Sequence, residues 1–280
     1  MQSVSNFPAP IAEQLVGVFT DIDDTLTTDG RLPAAAYAAL EHLAEDGLAV
    51  VPITGRPAGW CDMIARFWPV AGVIGENGAF YFRYDAGHRG MIRRFAAETA
   101  DRARNRERLR ALGERILAAV PGSAISADQA YREADLAIDF CEDVSPLRPE
   151  AVNRILSLFA SAGAVAKVSS IHVNGWFGHY DKLSMAKIFA VDALGLDLDA
   201  VRERFVFCGD SPNDAPMFGF FPQSCGVANV REHESRMSAM PAYVAERRGG
   251  AGFVEIADRI LAARANGRSE LQRVETARLR

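Results

Sequence analysis

The sequence predicts an α/β protein, a doubly wound parallel sheet interrupted by an inserted α+β domain. Three observations carry that expectation. Short apolar runs alternate with helix-like segments near both ends of the chain, the pattern of βαβ units with a sheet covered on both faces. Between them the order becomes irregular, with a hairpin, a long helix and further strands. Several apolar runs also end in carboxylates, hydroxyls or glycine, and in open parallel sheets ligands bind at the C-terminal ends of strands.

In chain order, strands are expected at residues 16–21, 49–54, 72–75, 205–210, 225–230 and 242–246. Helices are expected at 33–45, 58–67, 183–194, 215–219, 233–239 and 252–265. In the middle, 80–84 and 91–95 read as a hairpin around Asp85-Ala86-Gly87. A long helix over 102–120, a strand at 136–140, a helix from Pro149 to Ala162 and β-like runs at 164–169 and 171–174 follow. Connections within the parallel sheet should be right-handed.

Composition bounds the function. A chain of 280 residues suits one large or two modest domains, at roughly 100–200 residues each. Apolar content of 49% with 24% charged residues fits a soluble globular protein. No apolar run approaches the ~20 residues that span a bilayer, and residues 1–14 lack the pattern of a secretory signal, so a cytoplasmic location and no membrane partner are expected. A net charge of −5 argues against nucleic-acid binding. Cys61, Cys141, Cys208 and Cys225 form no C-x-x-C pair and read as reduced thiols rather than zinc ligands or disulfides. The charged tail from Arg264 reads as a solvated helix or a frayed end.

The most informative stretch is Asp21-Ile22-Asp23-Asp24-Thr25, directly after the first apolar run. Two carboxylates two residues apart past a strand can divide work, one as nucleophile and one handling protons. Their mutual repulsion invites a cation. An acidic turn capping the next helix is the plain alternative. Three more segments shift the balance. Ile53-Thr54-Gly55-Arg56 places a hydroxyl and free N–H groups where a phosphoryl group could sit. Gly209-Asp210-Ser211-Pro212-Asn213-Asp214 brings two acids four residues apart onto a strand-ending turn. Lys182 precedes a helix. The chain has three lysines, Lys167, Lys182 and Lys187, against an arginine-rich background, so a retained lysine points to a need for a compact ammonium.

For the leaving side of such a reaction, Arg56 and Asn77 are candidates, with exposed surface and a plain Asn-Gly turn as their alternatives. In Ser169-Ser170-Ile171-His172-Val173-Asn174-Gly175-Trp176, alternation places His172, Asn174 and Trp176 on one strand face, a polar and aromatic surface suited to a carbohydrate or to a solvated sheet edge.

In order, these segments resemble the four motifs of the haloacid dehalogenase superfamily, most of whose members are Mg²⁺-dependent phosphotransferases. The resemblance runs roughly from Leu15 to Ile260. Gly72-Val73-Ile74-Gly75-Glu76-Asn77-Gly78-Ala79 is similar to a strand of the type IIB subgroup, which includes Cof-type sugar phosphatases, sucrose-phosphate phosphatases and phosphomannomutases. Asp24 departs from the family's commonest residue there, glycine. The resemblance implies a Rossmann-like core from residues 1–81 and 181–280, with a type IIB cap inserted at 82–180. It also implies Asp21 as nucleophile and Asp23 as general acid and base. Mg²⁺ would be held by Asp21, the Asp23 carbonyl and Asp210. Thr54 and N–H groups near Ile22 and Gly55 would bind the phosphoryl oxygens, and Lys182 would bridge Asp21 and the phosphate. Asp214, and with it Asn213, would orient Lys182 or a metal-bound water. The expected activity is hydrolysis of a small phosphorylated metabolite, a sugar phosphate by preference, through an aspartyl-phosphate. A phosphomannomutase-like transferase and a non-catalytic phospho-ligand sensor are the alternatives. Monomer and homodimer both remain open.

Overall fold

The computed structural model describes residues 1–169 and 171–278. Its strands are β1 (Gln2–Ser3), β2 (Gly17–Thr20), β3 (Ala49–Pro52), β4 (Val73–Gly75), β5 (Phe80–Asp85), β6 (Gly90–Phe95), β7 (Ala124–Ile125), β8 (Leu136–Asp139), β9 (Val165–Val168), β10 (His172–Trp176), β11 (Phe205–Gly209), β12 (Gln223–Gly226) and β13 (Tyr243–Val244). Its α-helices are α1 (Ala9–Gln14), α2 (Ala34–Glu45), α3 (Ala58–Phe67), α4 (Thr99–Ala119), α5 (Pro149–Ser161), α6 (Lys182–Phe189), α7 (Leu198–Val201), α8 (Ala215–Phe220) and α9 (Gly249–Arg278). The chain forms two compact units.

The first unit comprises Met1–Pro52, Trp68–Ala71 and Gly195–Arg280. Its sheet has the order β1-β13-β12-β11-β2-β3 with every pairing parallel. β2 and β11, the strands that carry the first and last motifs, are neighbours and are buried along their whole length. That explains why both read as continuous apolar runs rather than as alternating ones. Phe19, Phe205, Phe207 and Phe221 pack ring against ring within this core, and α1 and α2 both pack on α9.

The second unit comprises Ile53–Phe67 and Gly72–Leu194. It starts earlier and ends later in the sequence than the expected 82–180 insertion. Its antiparallel sheet β7-β8-β10-β9 is covered on one face by α4 and α5. Leu109, Leu112 and Ile116 of α4 and Ile155, Leu158 and Phe159 of α5 meet Ile138 and Val173 from the strands. The Phe159 ring lies so close over Gly175 that a Cβ there would sit 2.1 Å from it, so only glycine fits. A smaller sheet, β4-β5-β6, contains the expected hairpin, with Asp85 pairing Gly90 across its tip.

Three elements differ from the sequence reading. Residues 72–75 were expected in the parallel sheet. β4 instead pairs antiparallel with β5, and its one parallel contact is an isolated Ile53–Ile74 bridge. The turn that follows explains this. Glu76, Asn77 and Gly78 have φ of 44°, 56° and 102°, three successive left-handed residues that reverse the chain. The strand expected at 225–230 stops at Gly226, and 3₁₀ turns over Ala228–Arg236 replace both its end and the start of the expected 233–239 helix. This polar stretch has no apolar stripe to dock a helix. The tail from Arg264 continues α9; Leu279 and Arg280 lie outside the described residues, as does Ser170 of the predicted polar strand. The four cysteines are free thiols, and burial pushes the Cys61 and Cys208 thiols up. Among the described residues no helix is long and apolar enough to cross a membrane.

Candidate active site

In the first unit the ends of β2 and β11 deliver Asp21 and Asp210 to the same place. Asp21 continues the ladder, its N–H donating to the Cys208 carbonyl at 2.8 Å. Asp21, Asp210 and Asp214 are all buried, and one carboxylate oxygen from each lies within 4.8 Å of the others. Asp210 and Asp214 accept hydrogen bonds that help orient them. The Thr25 hydroxyl donates to Asp210 Oδ1 at 3.2 Å, and Asn229 Nδ2 donates to Asp210 Oδ2 at 3.2 Å. Asp214 Oδ2 accepts the N–H groups of Asp210 and Ser211 at 3.1 and 3.3 Å, which folds the loop into a 3₁₀ turn over Pro212–Asp214. A Cβ at Gly209 would sit 2.5 Å from Asp214 Oδ2, so the glycine lets this carboxylate close against the strand. Half-buried Asn213 accepts from Ser211 Oγ at 2.6 Å.

Asp23 sits half-buried on the turn after Asp21. Asp24 has φ 57°, a left-handed conformation that glycine adopts freely and aspartate tolerates better than most residues. The departure from the family's glycine therefore costs little backbone strain. The Asp24 carbonyl also accepts from Asn229 Nδ2 at 2.7 Å, so Asn229 ties this turn to Asp210. Its position gives no sequence signal, because its partners lie far away along the chain. Three buried carboxylates this close repel one another, and an all-oxygen donor set suits a hard divalent cation.

The second unit gathers most of the other candidates. Thr54 is fully buried; its Oγ1 accepts the Arg56 N–H at 2.9 Å, and its carbonyl accepts the Asn77 N–H at 3.0 Å. A Cβ on Gly55 would approach Asn77 Nδ2 at 3.2 Å and Asn174 Oδ1 at 3.7 Å, so Gly55, Asn77 and Asn174 meet. Lys182 is the first residue of α6 and only 4% exposed, whereas Lys167 is exposed, so one lysine is set apart as the composition suggested. A capping box fixes that helix start: Ser184 N donates to Asp181 Oδ1 at 2.7 Å, and Asp181 N donates to Ser184 Oγ at 2.9 Å. Gly78 packs against the Asp181 carbonyl, 2.0 Å from where a Cβ would be, which locks the Asn77 turn onto the helix bearing Lys182.

The face of β10 bearing His172, Asn174 and Trp176 is entirely buried, unlike a solvated edge. Asn174 Nδ2 donates to Asp135 Oδ2 at 3.0 Å, and Trp176 stacks on Tyr180 with centroids 5.5 Å apart. His172 Nε2 lies 2.8 Å from Glu142 Oε2, and Arg56 Nη2 lies 3.0 Å from Glu142 Oε1. Arg56, weighed as an exposed residue, is thus buried, and it also stacks over Trp60 at 4.6 Å. The His172 hydrogen bond and the Arg56 charge hold the Glu142 carboxyl down, to about 2.

Sequence reasoning missed a buried polar network behind these residues. Arg132 reaches Asp128 at 3.0 Å, Asp135 at 2.9 Å and the Gly55 carbonyl at 2.8 Å. Glu76, which was passed over in favour of Asn77, accepts N–H bonds from Ala58, Glu133, Ala134 and Asp135 at 2.6–3.1 Å. Burial and Asp135 push the Glu76 carboxyl up, while Arg132 and the N–H donors pull it down.

Comparisons with known proteins bear on the family and the fold. Residues 18–101 match the profile of the haloacid dehalogenase-like hydrolases. A phosphoglycolate phosphatase of Methanospirillum hungatei is 28% identical over 247 residues, 86% of this chain and 95% of its own. Among solved structures, a protein of Thermoplasma acidophilum matches with a TM-score of 0.65 at 18% identity, covering 88% of this chain and 98% of its own. The sucrose-phosphatase of Synechocystis, solved with sucrose and phosphate, matches at 0.61 and 14% identity over 89% and 98%. Both structural likenesses speak to the fold: a Rossmann-like core with a cap.

Proposed function

We propose that this haloacid dehalogenase-like phosphatase hydrolyses a small phosphorylated metabolite, a sugar phosphate by preference, through an aspartyl-phosphate on Asp21. The observation that carries the reading is the crowding of Asp21, Asp210 and Asp214 at the ends of β2 and β11. Buried acids this close favour a divalent cation, and Asp21, the Asp23 carbonyl and Asp210 are the oxygens assigned to Mg²⁺. When bound, Mg²⁺ offsets the repulsion between Asp21 and the phosphate and stabilises charge on the transferring oxygens.

In the first step an Asp21 oxygen attacks phosphorus and the bond to the leaving oxygen breaks, while Asp23 passes a proton to the departing alkoxide. In the second, Asp23 takes a proton from water, the water oxygen attacks phosphorus, and the bond to Asp21 breaks. Phosphate is released and the carboxylate is regenerated. Thr54 and the Gly55 N–H hold phosphoryl oxygens, and Lys182 supplies a compact positive charge between Asp21 and the phosphate. Asp214 and Asn213 shape the loop that presents Asp210. We assign the cap to residues 82–180 within the second unit, with Arg56, Asn77, His172, Asn174 and Trp176 forming or supporting the leaving-group side. Phosphate release from p-nitrophenyl phosphate, with and without Mg²⁺, tests the activity. A metabolite panel ranked by kcat/KM then tests the sugar-phosphate preference against phosphoglycolate. No release from any phosphate monoester would instead support the sensor alternative.

A further inference from the structure

Glu142 was not among the residues that the sequence marked, yet its partly exposed carboxylate is held at both oxygens. Its backbone is held by Asp139 at the end of β8, which accepts the N–H groups of Cys141, Glu142 and Asp143 at 2.8–2.9 Å. Its two oxygens are held apart, Oε1 by Arg56 at 3.0 Å and Oε2 by His172 at 2.8 Å. The side chain is still 31% exposed, against 8% for Arg56 and 3% for His172. A carboxylate has about four acceptor sites, so each oxygen keeps acceptor capacity beyond these two bonds. Arg56 lies two residues from Thr54 and donates its N–H to the Thr54 hydroxyl, so Glu142 is one side chain removed from the proposed phosphoryl-binding threonine.

In the network carboxylates outnumber guanidiniums, with Asp128, Asp135 and Glu142 set against Arg56 and Arg132. Arg56 is engaged by Glu142 and, at 3.8 Å, by Asp128. Arg132 is engaged by Asp128, Asp135 and the Gly55 carbonyl. A carboxylate on a leaving group would face Glu142 while these two guanidiniums are already paired. The free acceptor positions on the exposed part of Glu142 suit a hydroxyl donor on the ligand.

We propose that Glu142 is a specificity-determining residue that selects uncharged, hydroxyl-bearing leaving groups and rejects carboxylated ones, accepting a substrate hydroxyl and repelling a substrate carboxylate. This rests on the phosphatase reading above. It also sets this chain apart from the phosphoglycolate phosphatase it resembles, whose named substrate has a carboxylated leaving group.

Glycerol 3-phosphate and 3-phosphoglycerate test it, because they differ in carrying a hydroxymethyl group or a carboxylate at the far carbon. The full-length protein with Mg²⁺ should favour glycerol 3-phosphate in kcat/KM by about tenfold or more, as like-charge juxtaposition gives. In Glu142→Gln that ratio should fall by about tenfold, chiefly through a gain on 3-phosphoglycerate. The ratio does not depend on the folded fraction of a preparation, and the wild-type ratio stands even if the variant proves unstable. A wild-type preference for 3-phosphoglycerate, or an unchanged ratio in Glu142→Gln, would overturn the assignment. Wild-type protein that releases no phosphate even from p-nitrophenyl phosphate would remove the phosphatase reading, and this inference with it.

Discussion

In the first unit, Asp21, Asp210 and Asp214 bring carboxylate oxygens within 4.8 Å, and the donors to Asp210 and Asp214 include a hydroxyl, an amide and backbone N–H groups. In the second unit, Asp128 and Asp135 flank the guanidinium of Arg132, and Glu76 closes on four N–H groups. Both sets are buried acids, but they answer the cost of burial differently. The second set is built around a guanidinium within its own unit and serves as scaffold, positioning Gly55, Asn174 and the 133–135 segment. The first crowds carboxylates where the proposed mechanism places a cation and a phosphoryl group. On the proposed reading, buried acids around an arginine mark structure here, and buried acids crowded together mark chemistry.

The sharpest way to break this comparison is to change one member of each set. Asp21→Asn keeps the shape and removes the nucleophile, so turnover should fall by roughly 10³-fold or more while the fold persists. Ordinary activity in a clean preparation, read beside an unchanged circular dichroism spectrum, would contradict the covalent mechanism. Arg132→Met should act on stability instead. It leaves Asp135 without its buried cation and Asp128 with only Arg56 at 3.8 Å, at a cost of about 3–5 kcal/mol measured from urea unfolding. A loss under about 1 kcal/mol, the scale of an exposed pair, would mean that the network is not built as described.

Smaller effects separate the sets further. Adding Mg²⁺ should raise the wild-type melting temperature by a few degrees, roughly what binding at 10–100 times Kd gives a domain of this size. Asp210→Asn should lose most of that gain, each protein being compared with itself in EDTA. An equal Mg²⁺ shift in both proteins would remove Asp210 from the metal site. The smallest effect is on pH dependence. The folded pKa of Glu142, about 2, lies below its ordinary 4.5. Its contribution to stability is therefore present above pH 4.5 and is lost as pH falls toward 2. The stability difference between wild type and Glu142→Gln should be largest near neutrality and shrink over that window. A difference that grows on acidification would reverse the sign.

The residues assigned to catalysis were more legible than those around them. Asp21, Thr54, Lys182 and Asp210 stand just past strand ends or at a helix start, where short motifs mark them. Both β2 and β11 were readable because strands buried on both faces are continuous apolar runs. The network was not readable because its members are acids and arginines in loops that look like solvated surface. Its bonds also join distant positions, as Arg56 does with Glu142 and Glu76 with Glu133. Asn229 gave no signal for the same reason. The misplaced strand at 72–75 has a local cause, the left-handed Glu76–Gly78 turn, which a plain Asn-Gly reading did not resolve. For His172, Asn174 and Trp176, alternation gave the correct shared face but could not tell a solvated edge from a buried one.

The central claim is a covalent phosphoryl group on Asp21, and chemical trapping tests it most directly. Protein turning over p-nitrophenyl phosphate in Mg²⁺ is quenched with borohydride, which reduces an acyl-phosphate of aspartate to homoserine, and its peptides are read by mass spectrometry. The account predicts homoserine at position 21, dependent on substrate and absent from Asp21→Asn. Active protein with no reduction at position 21, or with the reduced residue elsewhere, would contradict it.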